Sequence, residues 1–252
     1  MDWVRGFYSL QAEWLGIGRT PIGPEHREKA NWIRTDAGPA RVLELGCGGG
    51  QTAAAIAQHG HHVTAVELCS ELARQAERFV KKATPGTLEI VAGDFYELEL
   101  PSEHFDFICY FDGFGIGSDK DQQRLLQRIA QWLAPDGEAL IEIYTPWYWA
   151  AVAGTEMQWP GMHRKYDYQT EGSRMLDSWW KPEDPRSEIT QSLRCYAPRE
   201  LEGLLSATGL ALTTIEPGGA VDYRTGTYTP EVPLDQAMQY LARLVKPVPP
   251  AR

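Results

Sequence analysis

The stretch with most chemistry in it is "VLELGCGGGQ", residues 42–51. An apolar run suited to a buried strand leads into Gly46, Gly48, Gly49 and Gly50, and "GQTAAAIAQHG" then reads as a helix closed by Gly60. Glycines between a strand and a helix let backbone approach a ligand closely, and the free N–H groups at the helix start suit an anion. Two acids follow at the ends of later apolar runs. Glu67 closes "HVTAVE", about twenty residues on, where a carboxylate can accept from both hydroxyls of a ribose. Asp94 stands in "AGDFYEL", directly after "TLEIVAG". A nicotinamide dinucleotide site wants G-x-G-x-x-G. Its third glycine is missing here, because position 51 is Gln.

The elements that must hold these residues alternate regularly. "WVRGFYSLQAEWL" places Trp3, Phe7, Leu10 and Trp14 at helical spacing, and a second helical piece runs through Trp32. "ARVLEL", "HVTAVE", "TLEIVAG", "FDFICYF" and "EALIEIY" read as strands. Between them lie "SELARQAERFVKKA", with Ser70 as its expected N-cap, and "DKDQQRLLQRIAQWL", an amphipathic helix ended by "APDG". After Tyr144 the pattern breaks for about forty residues and resumes with "SEITQSLRCY" as a strand. A helix "APRELEGLLSATG", a strand "LALTTIEPGG", a final helix "PLDQAMQYLARLV" and a Pro-rich tail complete the reading. Strands alternating with helices predict an α/β fold with a parallel sheet covered on both faces.

With these residues in order, the sequence resembles the class I S-adenosylmethionine-dependent methyltransferases. Glu44, Gly46, Gly48 and Gly50 match the family's first motif, E-x-G-x-G-x-G. The resemblance continues through roughly residues 38–145 and 188–216. It implies a Rossmann-like, seven-stranded, mostly parallel sheet flanked by helices, and S-adenosylmethionine as cofactor. It implies that Glu67 takes the ribose hydroxyls, that Asp94 faces the adenine amino group, and that Phe95 lies against the adenine ring. Cys47, Leu68, Gly93 and Phe111 complete the expected cofactor set. The chain is expected to be one domain: a helical cap over 1–36, a core of 37–144 and 187–252, and an insert of 145–186.

Nine aromatic residues lie in the stretch from Tyr144 through Trp180, counting both ends. In open α/β sheets ligands sit beyond the carboxyl ends of the strands, so the insert is expected to wall an acceptor pocket with Trp147, Tyr148, Trp159 and Trp179. Tyr8 and Trp14 are expected on the opposite wall, and Arg174 as a partner for an acceptor anion. Packing of the domain or a homodimer contact are the alternative uses of the rings. "HRKYDYQTEGSRMLDSWW" reads as two short strands around "TEG". Within it His163 is a general-base candidate, since its ordinary pKa lies near neutrality. Asp112 and Tyr144, at two strand ends, are comparable candidates.

A formal net charge of -10 over 252 residues disfavours a nucleic-acid partner. So does "FDGF" at 111–114, where amino-methylating nucleic-acid enzymes carry [DN]-P-P-[YF]. No stretch of about 18 apolar residues predicts a membrane span, and the N-terminus does not read as a secretory signal. Cys47, Cys69, Cys109 and Cys195 form no C-x-x-C pair and suggest buried thiols in a reducing cytoplasm. "HGHHV", with His59, His61 and His62, reads as a solvated loop, so no metal is expected. The expected function is methyl transfer to a small-molecule acceptor at O, N or C. A non-enzymatic cofactor- or partner-binding protein on the same fold is the alternative.

Overall fold

A computed structural model describes residues 2–33 and 37–247. Part of the expected N-terminal cap, residues 34–36, and the Pro-rich tail beyond 247 lie outside the described residues. The chain groups into two compact units. One comprises Asp2–Phe111, Gln127–Leu140 and the residues from Val245 on; the other comprises Asp112–Leu126 and Ile141–Leu244.

The first unit opens with α1 (Asp2–Leu15), a 3-10 turn (Ile17–Arg19) and α2 (Pro24–Asn31). It continues through β1 (Arg41–Leu45), α3 (Gln51–Gln58), β2 (His62–Glu67), α4 (Ser70–Ala76), β3 (Thr87–Ala92) and β4 (Phe105–Tyr110). β1 pairs in parallel with both β2 and β4, and β2 with β3. Val42, Leu43 and Leu45 of β1 are completely buried, as expected of a strand covered on both faces. In α3 every residue from Gln51 to Ala57 is buried, and small alanines let the helix lie close to its neighbours. Ser70 is the first residue of α4 rather than its cap; Cys69 holds the cap position without a side-chain bond. The expected long helix there ends at Ala76 and tightens into a 3-10 stretch, Glu77–Lys82.

After β4 come α5 (Asp119–Trp132), β5 (Leu133–Tyr144) and α6 (Pro146–Ala151). Then follow β6 (Glu156–Trp159), β7 (Met162–Gln169), β8 (Arg174–Lys181), β9 (Asp184–Arg194), α7 (Pro198–Leu205) and β10 (Ala211–Pro217). A small hairpin of β11 (Ala220–Asp222) and β12 (Thr227–Thr229) leads to β13 (Gln239–Val245). The seven-stranded sheet has the order β10-β13-β5-β4-β1-β2-β3. A separate four-stranded antiparallel sheet has the order β6-β7-β8-β9.

Two further expectations change. The final helix is a strand, β13, whose Tyr240, Leu241, Ala242 and Leu244 are all buried. An interior strand buries both faces, so it loses the alternation that would have distinguished it from a helix. "SEITQSLRCY" contributes to β9, the last strand of the antiparallel sheet, so the insert extends to Arg194 and the expected core boundary at 187 falls inside it. No helix among the described residues is long and apolar enough to cross a membrane.

Candidate cofactor and acceptor sites

Gly46, Gly48 and Gly50 adopt φ of 65°, 55° and 78°, a region that side chains rarely enter. A Cβ on Gly50 would stand 2.7 Å from the Cβ of Ala76, so the loop is pressed onto α4 there. A Cβ on Gly48 would meet nothing within 4 Å, so that glycine borders open space. Glu67 ties the loop to the turn after β2. Its Oε2 accepts the Gly48 N–H at 2.7 Å and its Oε1 the Cys69 N–H at 2.7 Å. Each oxygen keeps a lone pair for a further donor. Burial pushes the Glu67 pKa up, and the N–H groups of Cys69 and Gly48 act against it.

Glu44 lies at the end of β1, 4% exposed, with Oε2 lacking a hydrogen-bond partner. Burial, opposed by Lys29 and reinforced by Glu67, pushes its pKa up to about 8. After β3, Asp94 Oδ1 accepts the Tyr96 N–H at 2.8 Å, and the Gly93 N–H donates to the Glu67 carbonyl at 2.8 Å. Leu68 and Phe95 are half-buried; Phe95 meets Tyr110 edge-on, with ring centroids 5.5 Å apart. Cys47 is buried and its thiol pKa is raised by burial. Phe111 is buried against Trp32 and carries Lys29 Nζ 4.7 Å above its ring. The expected cofactor residues thus follow the carboxyl ends of four adjacent parallel strands. The ribose diol, adenine and amino-acid groups of S-adenosylmethionine fit this set: paired carboxylate oxygens on Glu67, a carboxylate on Asp94, and an open cradle at Gly48.

A methyltransferase-domain family model matches residues 42–137, which contain this whole set. Over those residues the chain carries a methyltransferase domain, in line with the resemblance to the class I S-adenosylmethionine-dependent family. An S-adenosyl-L-methionine-dependent Diels-Alderase of Talaromyces variabilis is 34% identical over 116 residues, covering 44% of this chain and 39% of the relative. A protein-L-isoaspartate O-methyltransferase of Gloeobacter violaceus is 30% identical over 106 residues, covering 42% and 48%. The chain thus spans under half the length of either relative. The CcbJ methyltransferase of Streptomyces caelestis shares the fold with a TM-score of 0.71, 17% identity and 92% coverage of each chain.

Several residues that brace the glycine loop and the acids carry no strong signal in the sequence. Gln51 occupies the place of the absent dinucleotide glycine. It is buried, and its amide donates to the Ile17 carbonyl at 2.7 Å and to Thr20 Oγ1 at 2.7 Å, holding the segment after α1 to the glycine loop. Arg128 donates to the Phe95 carbonyl at 2.9 Å and to the Leu98 carbonyl, fixing the turn that carries Asp94. Nothing in the α5 pattern distinguishes it from a solvent-facing arginine. Tyr8 packs on the cluster of Ala12, Cys69 and Leu72, beside the Glu67 turn, and Trp14 is half-buried on α1. His61 is buried rather than solvated: its Nδ1 accepts the Ala40 N–H at 3.1 Å, and burial lowers its pKa. No cluster of metal-binding residues occurs among the described residues.

In the other unit Asp112 and Tyr144 come together: the Tyr144 hydroxyl donates to Asp112 Oδ1. Asp112 has φ of 55°, unusual for a residue other than glycine. His163 lies elsewhere, on β7, paired across the ladder with Trp180 and Gln158. Its neighbours on β7, Met162 and Arg164, project to the opposite face, which carries the buried Tyr166, Asp177 and Trp179. Trp147 and Trp149 donate their indole N–H groups to the carbonyls of Leu234 at 2.8 Å and Met238 at 2.9 Å. Tyr148 donates to the Val221 carbonyl at 2.9 Å. Tyr148 and Trp179 are buried packing rings, whereas Trp159 is 41% exposed. The expectation for Arg174 needs correcting. Its guanidinium is spent on Ser192 Oγ, the Ser192 carbonyl and the carbonyls of Gly117 and Gly115, so it joins the loop after β4 to β9 instead of meeting a ligand anion.

Proposed function

We propose that the chain transfers a methyl group from S-adenosylmethionine to a small-molecule acceptor, with Asp112 and Tyr144 handling the acceptor's proton. The observation that carries this reading is the Tyr144–Asp112 hydrogen bond at the ends of two strands, next in sequence to the cofactor residue Phe111. When bound, the cofactor supplies a methyl group already activated on a sulfonium. The work left to the protein is largely positioning. Glu67 and Asp94 hold polar groups of the cofactor, and the open cradle at Gly48 admits it. Asp112 orients the Tyr144 hydroxyl. An O–H or N–H acceptor bonded to that hydroxyl would pass its proton through it to the Asp112 carboxylate while the methyl carbon exchanges its bond to sulfur for one to the acceptor, leaving a neutral thioether. The buried free thiols of all four cysteines suit a reducing compartment such as the cytoplasm.

A second reading has its own support. One relative is named as a Diels-Alderase that depends on the same cofactor, over a segment of this same fold. Cofactor binding without methyl transfer is therefore a separate use of the site. The two readings part in one experiment, in which the chain is incubated with methyl-labelled cofactor and a panel of amines, phenols and carboxylic acids. The methyl-transfer reading expects label in one acceptor class and a fall of about 10²–10⁴-fold in turnover for Asp112→Asn, the range for positioned proton transfer. Tyr144→Phe should fall with it. Tight cofactor binding with no labelled product across the panel would favour the second reading.

A further inference from the structure

We propose that the edge of Arg164 is a binding site for a neutral, planar carbonyl group attached to an aromatic ring. The inference deepens the acceptor reading above by naming the acceptor's chemical class. Arg164 stands on β7 with its guanidinium carbon 4.4 Å from the ring centre of Tyr166 and 4.3 Å from that of Trp179. One edge is already taken. Nε donates to Asp177 Oδ1 at 2.7 Å and Nη2 to Asp177 Oδ2 at 2.8 Å, while Gln191 Nε2 donates to the same Oδ2 at 3.0 Å. Asp177 is completely buried, and the Arg164 side chain is 21% exposed. Nη1 makes no hydrogen bond among the described residues. The Trp179 indole N–H is buried and also lacks a partner.

A buried ion pair is weak evidence of a stabilising role, because well-packed apolar residues of similar volume often do as well or better. Here the pair fixes a forked donor on an aromatic floor. Behind it, buried ring packing continues as far as Tyr144, whose hydroxyl is the proposed catalytic group. Tyr166 meets Trp149 with centroids 4.9 Å apart, and Trp149 meets Tyr144 at 5.3 Å. On the other side Trp159, exposed at the end of β6, leans on Trp179 at 5.4 Å. Trp159 is the exposed ring of this group, and its flat apolar face suits an aromatic ligand. The charge of the site selects among such ligands. Arg164 and Asp177 cancel, so a carboxylate drawn to Nη1 would also meet the Asp177 charge across the guanidinium. A cation would face a donor edge. A neutral carbonyl oxygen accepts from Nη1 without either repulsion.

The test uses benzamide, benzoate and benzylammonium as probes of one size. The protein is labelled with nitrogen-15 in its nine tryptophans, and Trp179→Phe and Trp159→Phe assign those two indole signals. Benzamide should shift the Trp159 and Trp179 signals saturably, and benzoate should bind at least about fivefold more weakly, with benzylammonium inert. Arg164→Lys keeps the charge and loses the fork, so benzamide affinity should fall about fivefold or more. Should that variant not fold, Trp159→Ala removes an exposed ring, and benzamide affinity read at Trp179 should fall about threefold. Three results would overturn the proposal: no benzamide shift at either signal, benzoate binding as tightly as benzamide, or full affinity in the folded variants. The measurement involves neither cofactor nor turnover. Its failure leaves the methyl-transfer reading standing, and absence of methyl transfer with benzamide binding intact overturns only that reading.

Discussion

Glu67 and Asp177 are both buried carboxylates, 6% and 0% exposed, yet they are held in contrasting ways. Glu67 is met by two backbone N–H groups, from Gly48 and Cys69, and pairs with no cation among its hydrogen-bond partners. Asp177 is met by a guanidinium and a side-chain amide. A carboxylate held by backbone amides keeps lone pairs and charge available to a ligand. One held by arginine has its charge cancelled in place. The contrast fits the proposed roles, Glu67 in binding and Asp177 in the architecture that presents Arg164.

Mutation can break that contrast. The largest effect belongs to Asp177→Ala, which leaves the Arg164 charge buried and unpaired. Removing one partner of such a pair costs about 3–5 kcal/mol, so the variant should melt far below the parent, as followed by circular dichroism. A small drop in melting temperature would mean that Arg164 finds water, and the site would be more open than described. Trp147→Ala comes next. Removing the ring sacrifices contact area of about 1–3 kcal/mol and the bond to the Leu234 carbonyl. If Trp147 contacts the acceptor, turnover efficiency should fall about tenfold to a hundredfold with cofactor affinity nearly unchanged. If it only packs the domain, stability should fall while the folded enzyme keeps its kinetics.

A smaller effect is expected in the pH dependence. Burial raises the Glu44 pKa from 4.5 to about 8. In that window the folded state holds a proton that the unfolded chain has released. The contribution of Glu44 to stability is therefore full below about pH 4.5 and is lost as pH rises toward about 8. Glu67, shifted the same way, adds to the slope. Glu44→Gln should flatten the decline of melting temperature between these limits, and an unchanged slope would mean that Glu44 is ionised when folded. The cofactor is left out of that scan, since its charges act on the same group.

The two regions also differ in how much of them the sequence discloses. The glycine loop, Glu67 and Asp94 are legible because backbone geometry restricts the residue types: a φ near 60° calls for glycine, and the acids must stand at strand ends. The antiparallel insert works through side chains chosen by tertiary packing. His163 and Arg164 are adjacent in sequence and lie on opposite faces of β7, a distinction that needs the strand register. In β9, Ile189 and Leu193 stand four apart among polar residues, a same-face spacing that suits a half-solvated antiparallel strand. In β13 the residues Leu, Ala and Arg favour helix, and sheet context overrides that preference.

Calorimetric titration of S-adenosylhomocysteine into the parent protein and into Glu67→Ala tests the central claim most directly. The account predicts binding to the parent, no binding of NADH, and a loss in the variant of about tenfold or more, since charge-assisted hydrogen bonds contribute about 1.5–3 kcal/mol. Equal affinity in parent and variant, or a parent that binds NADH instead, would contradict it.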